Sequence, residues 1–244
     1  MKRTILLLAM LVWVILPAQP VRAGNSGPRI LVFVKTQGFY HPSIPKGMAT
    51  IMNLCRQNNI GIDTTRDASA FTAANLEQYR VVVFLNTTGD VLNDQQQAAF
   101  EAYIRSGGGF VGVHAATDTE YKWPWYNKLV GAYFLSHPSE QQAAVIRVVN
   151  KKNPATEFLP DEWKRTDEWY NYKDIQPDLQ VLAYLDETTY KGGANGGKHP
   201  FIWCHEFEGG RAFYTGAGHR EDNYDEPLLQ KHLLGAIKWA GRII

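Results

Sequence analysis

The feature that most restricts the fold is an alternation of short apolar runs and helical segments between residues 29 and 113. The runs RILVFVK, IGIDTTRD, YRVVVFLNTTG and FVGVH are typical of strands, and the third is apolar on both faces. Residues 44–59 and 92–109 lie between them and have helical apolar spacing. Because strands that are apolar on both faces must be covered on both sides, the pattern predicts an α/β fold. We expect a mostly parallel central sheet flanked by helices.

The second half of the chain is more mixed. The run FIWCHEF is followed by EGG and then by RAFYTGAG, which predicts a β-hairpin with a glycine-rich turn. Residues 225–241 predict a closing helix, with Asp225 as its cap and Pro227 in the first turn. The pattern contains no repeats and no low-complexity linker, and residues 24–244 are interpreted as a single domain.

Residues 1–23 have the pattern of a signal peptide. Two basic residues precede the apolar run ILLLAMLVWVIL, and a small-residue cleavage site ends at Ala23. We therefore expect an exported protein, periplasmic or secreted, without a membrane anchor after cleavage. The whole chain has 25 basic and 24 acidic residues, a balance that does not favour nucleic acid as a partner.

Two familiar motifs do not apply here. Cys55 and Cys204 are the only thiols and form no metal-type C-x-x-C pair, and whether they form a disulfide is left open. Gly107, Gly109 and Gly112 match G-x-G-x-x-G, but a helix precedes the motif and a strand follows it. A dinucleotide site needs the reverse order, so no nicotinamide cofactor is expected.

The strongest functional signal is a set of polar residues that follow the predicted strands. In open α/β sheets ligands bind beyond the carboxyl ends of the strands. The residues that follow these ends, or lie in the polar segments between later strands, are Lys35, His41, Asn86, Thr87, His114, Asp118, Tyr121, Trp123, His137, Glu168, Tyr170 and His219. The run GVHAA resembles a nucleophile elbow, with His114 where a Ser or Cys would stand. Imidazole suits proton transfer, metal ligation or hydrogen bonding to a carbonyl.

Each of these residues also has a structural interpretation. His41 and His137 precede prolines, and Asn86 and Thr87 could cap the next helix. The tryptophans of the 121–126 loop could pack in the core or stack on sugar rings. His205 and His232 are interpreted as structural, and His199 lies in a glycine-rich loop and stays undecided.

Several ordered blocks resemble the ThuA-like (trehalose utilisation) family. They are VFVKTQGFYHPSIP, residues 81–138, RTDEWYNY and RAFYTGAGH, and the resemblance extends over about residues 29–241. It implies a class I glutamine amidotransferase-like fold without the elbow cysteine. It also implies a role in the catabolism of disaccharides and 3-keto-glycosides, with metal suspected in some members. The family's polar positions fall on His41, Asn86, His114, Asp118, His137, Glu168 and His219.

The chemistry that fits these residues is proton abstraction from a keto-glycoside or a related disaccharide derivative, of isomerase, lyase or hydrolase type, without a Ser or Cys nucleophile. His114, Glu168 and Asp118 are the candidate catalytic residues, with Glu168 or His114 as the base. The candidate metal ligands are His41, His137 and His219, and a divalent ion of zinc or manganese type is the candidate cofactor. Lys35, Asn86, Thr87, Tyr121, Trp123 and Tyr170 are the candidate contacts to a small carbohydrate.

Two alternatives remain. A non-catalytic carbohydrate-binding or interaction module fits the aromatic loop equally well, and amidotransferase or peptidase chemistry ranks last because neither cysteine lies at the elbow. A homo-oligomer is left open.

Overall fold

The computed structural model describes residues 27–244, so the predicted signal peptide lies outside the described residues. The strands are β1 (Arg29–Phe33), β2 (Gly61–Thr65), β3 (Val81–Leu85), β4 (Gly109–Val113), β5 (Tyr133–Ser136), β6 (Gln142–Val148), β7 (Glu162–Asp167), β8 (Asn171–Lys173), β9 (Gln180–Leu185), β10 (His199–Phe207) and β11 (Gly210–Thr215). The α-helices are α1 (Ile44–Gln57), α2 (Ala73–Leu76), α3 (Asp94–Arg105), α4 (Pro124–Val130) and α5 (Pro227–Ala240).

Nine strands form one sheet in the order β2-β1-β3-β4-β11-β10-β9-β6-β7. The first five strands are parallel to one another, and the remaining four continue the sheet in antiparallel pairings, beginning with β10 against β11. The predicted hairpin is the β10–β11 pair, and β11 also joins the parallel half by pairing with β4. The predicted α/β fold with its mostly parallel core and hairpin is confirmed.

The two faces of the sheet bury separate apolar clusters, because the side chains of a strand point alternately to opposite faces. In β3, Val81 and Val83 belong to the cluster on one face, whereas Val82 and Phe84 belong to the other. All five residues of β3 are buried, as expected for a strand covered on both sides. Helix α5 covers the first face, and α3 and α4 cover the second.

The chain leaves β7 at the far edge of the sheet and turns into a second, two-stranded sheet made of β5 and β8. This small sheet was not predicted from the sequence. Residues 168–170 connect β7 with β8, and this connection brings Glu168 and Tyr170 back toward the end of β4, where Tyr170 contacts His114.

Local signals fix the ends of the main helices. Asn93 caps α3 in a capping box, in which its side chain accepts from the Gln96 amide and Gln96 binds the Asn93 amide. The predicted Asp225 cap of the last helix is wrong. The residue before α5 is Glu226, which makes no side-chain cap bond, and Pro227 is the first helical residue.

Two further observations concern the described residues. Cys55 and Cys204 are buried free thiols. Across residues 27–244, the helices are all too short or too polar to cross a bilayer.

Candidate functional site

The site is built around a sharp turn at the end of β4. His114 directly follows the last residue of β4 and has a φ of 47°. This is the left-handed region of backbone conformation, which residues other than glycine adopt only at a cost in conformational energy. The neighbouring strand β3 ends at Asn86, which also has a positive φ of 51°. At Gly112 a Cβ atom would lie 3.1 Å from the Cβ of Ala116, so the glycine permits the chain to fold back closely. The elbow geometry therefore exists, with an imidazole at its tip.

The His114 ring is fully buried and its orientation is fixed from two sides. Its Nδ1 lies 3.0 Å from the carbonyl oxygen of Gly216, and a carbonyl can only accept, so Nδ1 carries the hydrogen. The ring of Tyr170 packs against it at a centroid distance of 4.2 Å. The remaining nitrogen, Nε2, faces the site, where it lies 3.3 Å from Oε2 of Glu168 and 3.3 Å from Nδ1 of His219.

Three imidazoles meet at this point. The ring centroids are 5.1 Å apart for His41 and His114, and 5.2 Å apart both for His41 and His219 and for His114 and His219. The interplanar angles lie between 74° and 87°, so the rings are nearly perpendicular to one another. The three residues come from the loops after β1, β4 and β11, which end at the same edge of the parallel sheet.

Glu168 supplies a carboxylate to the same cluster. Its Oε2 lies 3.0 Å from Nδ1 of His219 and 3.3 Å from Nε2 of His114. Burial opposes the charged form of Glu168, but the hydrogen bonds and charges of His114 and His219 outweigh it and hold the pKa of the carboxyl well below its ordinary value. Glu168 is therefore an ionised carboxylate among imidazoles.

His41 closes the cluster from the α1 side. Its side chain is buried, and its Nδ1 makes no hydrogen bond to any atom of residues 27–244. Burial and the neighbouring imidazoles His114 and His219 lower the pKa of His41 to about 2, so its neutral form predominates. A buried nitrogen without a protein partner is costly unless a ligand or a water molecule satisfies it.

The four side chains fit a divalent metal ion. His41, His114, Glu168 and His219 each offer one ligand atom, and these four atoms lie within 4.8 Å of one another. Three imidazole nitrogens and one carboxylate oxygen suit zinc or another first-row divalent ion. The Nδ1–H bond of His114 to a backbone carbonyl is also the usual way in which a ligating histidine is oriented.

Some of the predicted site residues form one cluster in the structure, and the others lie beside it or away from it. His114 and Glu168, predicted as catalytic, and His41 and His219, predicted as metal ligands, form the four-donor cluster. His137 lies beside the cluster: its Nδ1 is 3.5 Å from Oε1 of Glu168 and its side chain is 41% exposed.

Asp118 and Tyr121 form a polar pair next to the cluster. The Tyr121 hydroxyl donates to Oδ1 of Asp118 at 2.6 Å. Burial raises the pKa of the Asp118 carboxyl, although the bond from Tyr121 and the charges of His114 and His137 partly oppose it.

Other predicted substrate contacts are engaged elsewhere. Lys35 Nζ donates to the Val91 carbonyl, the Thr87 hydroxyl pairs with that of Thr119, and Asn86 donates to Ser43 and Gly218. Trp123 packs in the apolar cluster under α3 and α4, and its indole N–H donates to Glu101. Asn86 and Thr87 thus make contacts within the protein, although Oδ1 of Asn86 is buried without a partner among residues 27–244, and Trp123 packs as a core residue.

The remaining histidines are occupied by local contacts. His199 bonds Glu187 through Nδ1 and the Tyr170 carbonyl through Nε2, and His205 bonds the Leu129 carbonyl. His232 donates from Nδ1 to the Ala155 carbonyl. The structural interpretation of His205 and His232 is thus supported by their contacts.

Sequence reasoning assigned no role to Asp167, which supports the cluster from behind. Asp167 binds the backbone amides of Glu168 and Gly218, and the Gly218 carbonyl accepts from Ser43, Asn86 and Tyr224. In the sequence, Asp167 stands out only as the neighbour of Glu168. No pattern in a single sequence indicates that a buried carboxylate bonds two distant backbone amides.

A cavity of about 360 Å³ adjoins the cluster at His219. Polar side chains line it, including Ser43, Gln141, Arg220 and Asp222. A cavity of about 410 Å³ lies at the opposite end of the strands, around Arg80 and Tyr103, but the clustered donors are not there. The smaller cavity is therefore the better candidate for a ligand that reaches the cluster.

Comparison with known proteins agrees with this architecture. The sequence profile of the family ThuA, described as trehalose utilisation, matches residues 29–240. The fold is that of the glutamine amidotransferase-like proteins, with a mostly parallel sheet between helices. The chain belongs to the ThuA family, a family of carbohydrate utilisation. A search of curated proteins gives no match.

Solved structures of similar fold support the assignment. A ThuA-like protein from Bacteroides uniformis is 25% identical, with a TM-score of 0.76 over 92% of this chain and 95% of that one. A ThuA-like protein from Parabacteroides merdae is 19% identical, with a TM-score of 0.72 over 88% of this chain and 90% of that one. A β-galactosidase from Bacillus circulans sp. alkalophilus shares only the fold, at 12% identity and a TM-score of 0.56 over 87% of this chain and 31% of its own.

Proposed function

We propose that the protein is a metal-dependent enzyme of carbohydrate utilisation that moves a proton on a 3-keto-glycoside or a related disaccharide derivative. The observation that carries the proposal is the four-donor cluster of His41, His114, Glu168 and His219 at the carboxyl edge of the sheet. The family supplies the carbohydrate context. The chemistry follows from the donor set and from an elbow that carries an imidazole and no thiol.

The four donors would hold a divalent ion of zinc or manganese type. Bound there, such an ion supplies a Lewis acid that polarises a carbonyl or hydroxyl oxygen of the sugar. His114 holds its ligand nitrogen in place through the Gly216 bond, and Glu168 contributes a negative charge to the site. Because these two side chains serve as ligands, the base must come from outside the cluster.

His137 is the best placed base. Its Nδ1 faces two acceptors, the Pro138 carbonyl at 2.7 Å and Oε1 of Glu168 at 3.5 Å, so the hydrogen resides on Nδ1. Nε2 is then free to take a proton from the carbon next to the ketone, and the electron pair of that C–H bond moves toward the ketone oxygen. In an elimination, this electron pair then expels the aglycone oxygen from the adjoining carbon, and the proton held by His137 passes to that oxygen. In an isomerisation, the proton returns to the former ketone carbon, and the proton of the neighbouring hydroxyl passes to the former ketone oxygen.

The rim of the site fits a hydroxyl-rich ligand. Gln141, Arg220 and Asp222 in the adjoining cavity offer donors and acceptors for sugar hydroxyls. Asp118, held by Tyr121, offers a further acceptor near His114 and His137. Phe39, 61% exposed and packed edge-on against His41, offers an apolar face of the kind on which sugar rings stack.

The test combines metal analysis with turnover. We expect purified full-length protein to contain about one zinc or manganese ion per chain, and chelation to abolish turnover of a 3-keto-glucoside. His114→Ala should lose both the metal and the activity. The matched control is His205→Ala, which removes a buried histidine bonded to the Leu129 carbonyl. Metal-free wild-type protein with full turnover, or a fully active His114→Ala variant, would contradict the proposal.

A second candidate function is carbohydrate binding without turnover. It is favoured by the exposed aromatic rings of Phe39 and Tyr40 next to His41. Calorimetry with candidate sugars, run together with product analysis, separates the two functions. Binding without product formation and without bound metal would favour the binding module.

We also propose that the protein is exported, on the pattern of residues 1–23. Amino-terminal sequencing of protein from fractionated cells tests this. A chain that begins at Gly24 in the periplasm or medium supports export, and an uncleaved cytoplasmic chain contradicts it.

A further inference from the structure

The carboxylate behind the cluster has an unusual set of contacts. Asp167, at the end of β7, is fully buried. Its Oδ1 accepts from the amide of Glu168 at 3.0 Å, and its Oδ2 accepts from the amide of Gly218 at 3.1 Å. Glu168 is itself a donor of the cluster, and Gly218 directly precedes His219, another donor. One side chain therefore joins two loops that are 51 residues apart in the sequence.

The Gly218 peptide is held on its carbonyl side as well. The carbonyl accepts from the Ser43 hydroxyl at 3.2 Å, the Asn86 amide at 3.2 Å and the Tyr224 hydroxyl at 3.0 Å. Ser43 lies two residues after His41, so a third donor-bearing loop is tied to the same residue. Gly218 has a φ of 120°, and a Cβ there would lie 2.7 Å from the Tyr224 hydroxyl oxygen.

The fourth donor is tied to the same segment. His114 donates through Nδ1 to the carbonyl of Gly216. Residues 216–219 are thus linked to His41 through Ser43, to Glu168 through Asp167, and to His114 directly. A displacement of this short segment would change the separation of all four ligand atoms at once.

A buried cation balances the charge of Asp167. The side chain of Arg165 is 1% exposed, and its Nη2 lies 3.3 Å from Oδ2 of Asp167. The Arg165 guanidinium also lies over the Trp163 ring at 4.6 Å. Within residues 27–244, its N–H groups make no well-aligned hydrogen bond, so the pair acts through charge and leaves both oxygens of Asp167 free to accept from the two amides.

We propose that Asp167 is a positioning residue for a bound divalent ion: it fixes Glu168 and His219 at the separation that the ion requires. The proposal rests on the proposed function. Residues that orient ligating side chains typically change metal affinity by about 10–100-fold when they are replaced. In Asp167→Asn, one of the two acceptor oxygens becomes an NH2 group that faces an amide donor, so one of the two loops is released.

The experiment measures zinc affinity on folded, metal-free, full-length protein by competition with a chromophoric chelator. We expect Asp167→Asn to weaken zinc binding about 10–100-fold. Co²⁺ gives a second readout, because its visible absorption reports coordination geometry, and we expect an altered spectrum. The matched control is Asn153→Ala, which loses a comparable buried side-chain bond, to the Ala155 amide. This control should lower stability and leave the zinc affinity within about twofold.

A second, milder variant tests the same positioning role if Asp167→Asn does not fold. Tyr224→Phe keeps the ring but removes one donor to the Gly218 carbonyl, and it should weaken zinc binding less than Asp167→Asn does. Wild-type zinc affinity and an unchanged Co²⁺ spectrum in both variants would overturn the positioning role while leaving the metal site intact. If wild-type protein itself binds neither Zn²⁺ nor Co²⁺, the metal-dependent function fails and this inference fails with it.

Discussion

Replacement of Gly218 by alanine tests whether the site depends on one backbone conformation. Gly218 has a φ of 120°, which side-chain-bearing residues rarely adopt, and this strain costs about 1–3 kcal/mol. The added Cβ would lie 2.7 Å from the Tyr224 hydroxyl oxygen and 3.0 Å from Val113 Cγ1, and such overpacking costs about 1–3 kcal/mol more. Alanine also lowers the conformational entropy of the unfolded chain, and this stabilises the folded state by about 0.4–1 kcal/mol. We expect a net loss of about 1–5.6 kcal/mol in the free energy of unfolding.

The assay is urea denaturation of metal-free protein, with zinc affinity measured in parallel. Gly107→Ala is the matched control, because Gly107 has a φ of 99° but the nearest atom to an added Cβ is 3.9 Å away. The control isolates the backbone strain, and with the same strain and unfolded-chain contributions it should lose about 0–2.6 kcal/mol with unchanged zinc affinity. If Gly218→Ala is no less stable than Gly107→Ala and binds zinc normally, the conclusion that the Gly218 peptide is rigidly held is wrong.

Three further predictions concern single side chains. Glu168→Gln keeps the shape but removes the charge, so zinc binding should weaken by at least about tenfold in chelator competition; unchanged binding would exclude Glu168 as a ligand. His137→Gln should keep wild-type zinc affinity but lose about 100-fold or more in kcat, and full turnover would exclude His137 as the base. Burial lowers the pKa of His232 to about 4 from 6.5, so its contribution to stability is complete above about pH 6.5 and is lost as the pH falls toward 4. In thermal or urea denaturation between pH 7 and 4, His232→Phe should show about 3 kcal/mol less pH-dependent loss than wild type, and parallel pH profiles would contradict this.

The strands and long helices of the parallel half could be predicted because their signals are local. The run from Val81 to Leu85 is apolar at every position, and the structure buries all of it between two layers. The sequence left Asn93 or Asp94 as the cap of α3, and the structure has Asn93 there, in a capping box with Gln96. Asp225 failed as a cap because Pro227 sets the first turn of α5 and Glu226 takes the preceding position without a side-chain bond.

Four of the candidate site residues lie together in the structure, and their roles stay predictions. His41, His114, Glu168 and His219 follow strand ends, and parallel strands bring their carboxyl ends to one edge. Trp123 also follows a strand end, yet its ring faces the core under α3 and α4, because a loop residue can turn either way. Glu168 or His114 was expected as the base, and the structure brings Oε2 of Glu168 within 3.3 Å of Nε2 of His114, while the catalytic role of either residue stays a prediction.

The layers of the fold, the elbow after β4 and the polar residues at one edge follow from the sequence, because apolar periodicity and strand ends are local features of the chain. The grouping of side chains around one centre, and the oxygens that hold them there, follow from the folded arrangement. The contacts of Asp167 with Gly218 and of His114 with Gly216 join residues 51 and 102 positions apart. Such contacts depend on the packing of distant strands and on directional hydrogen bonds, which no local pattern encodes.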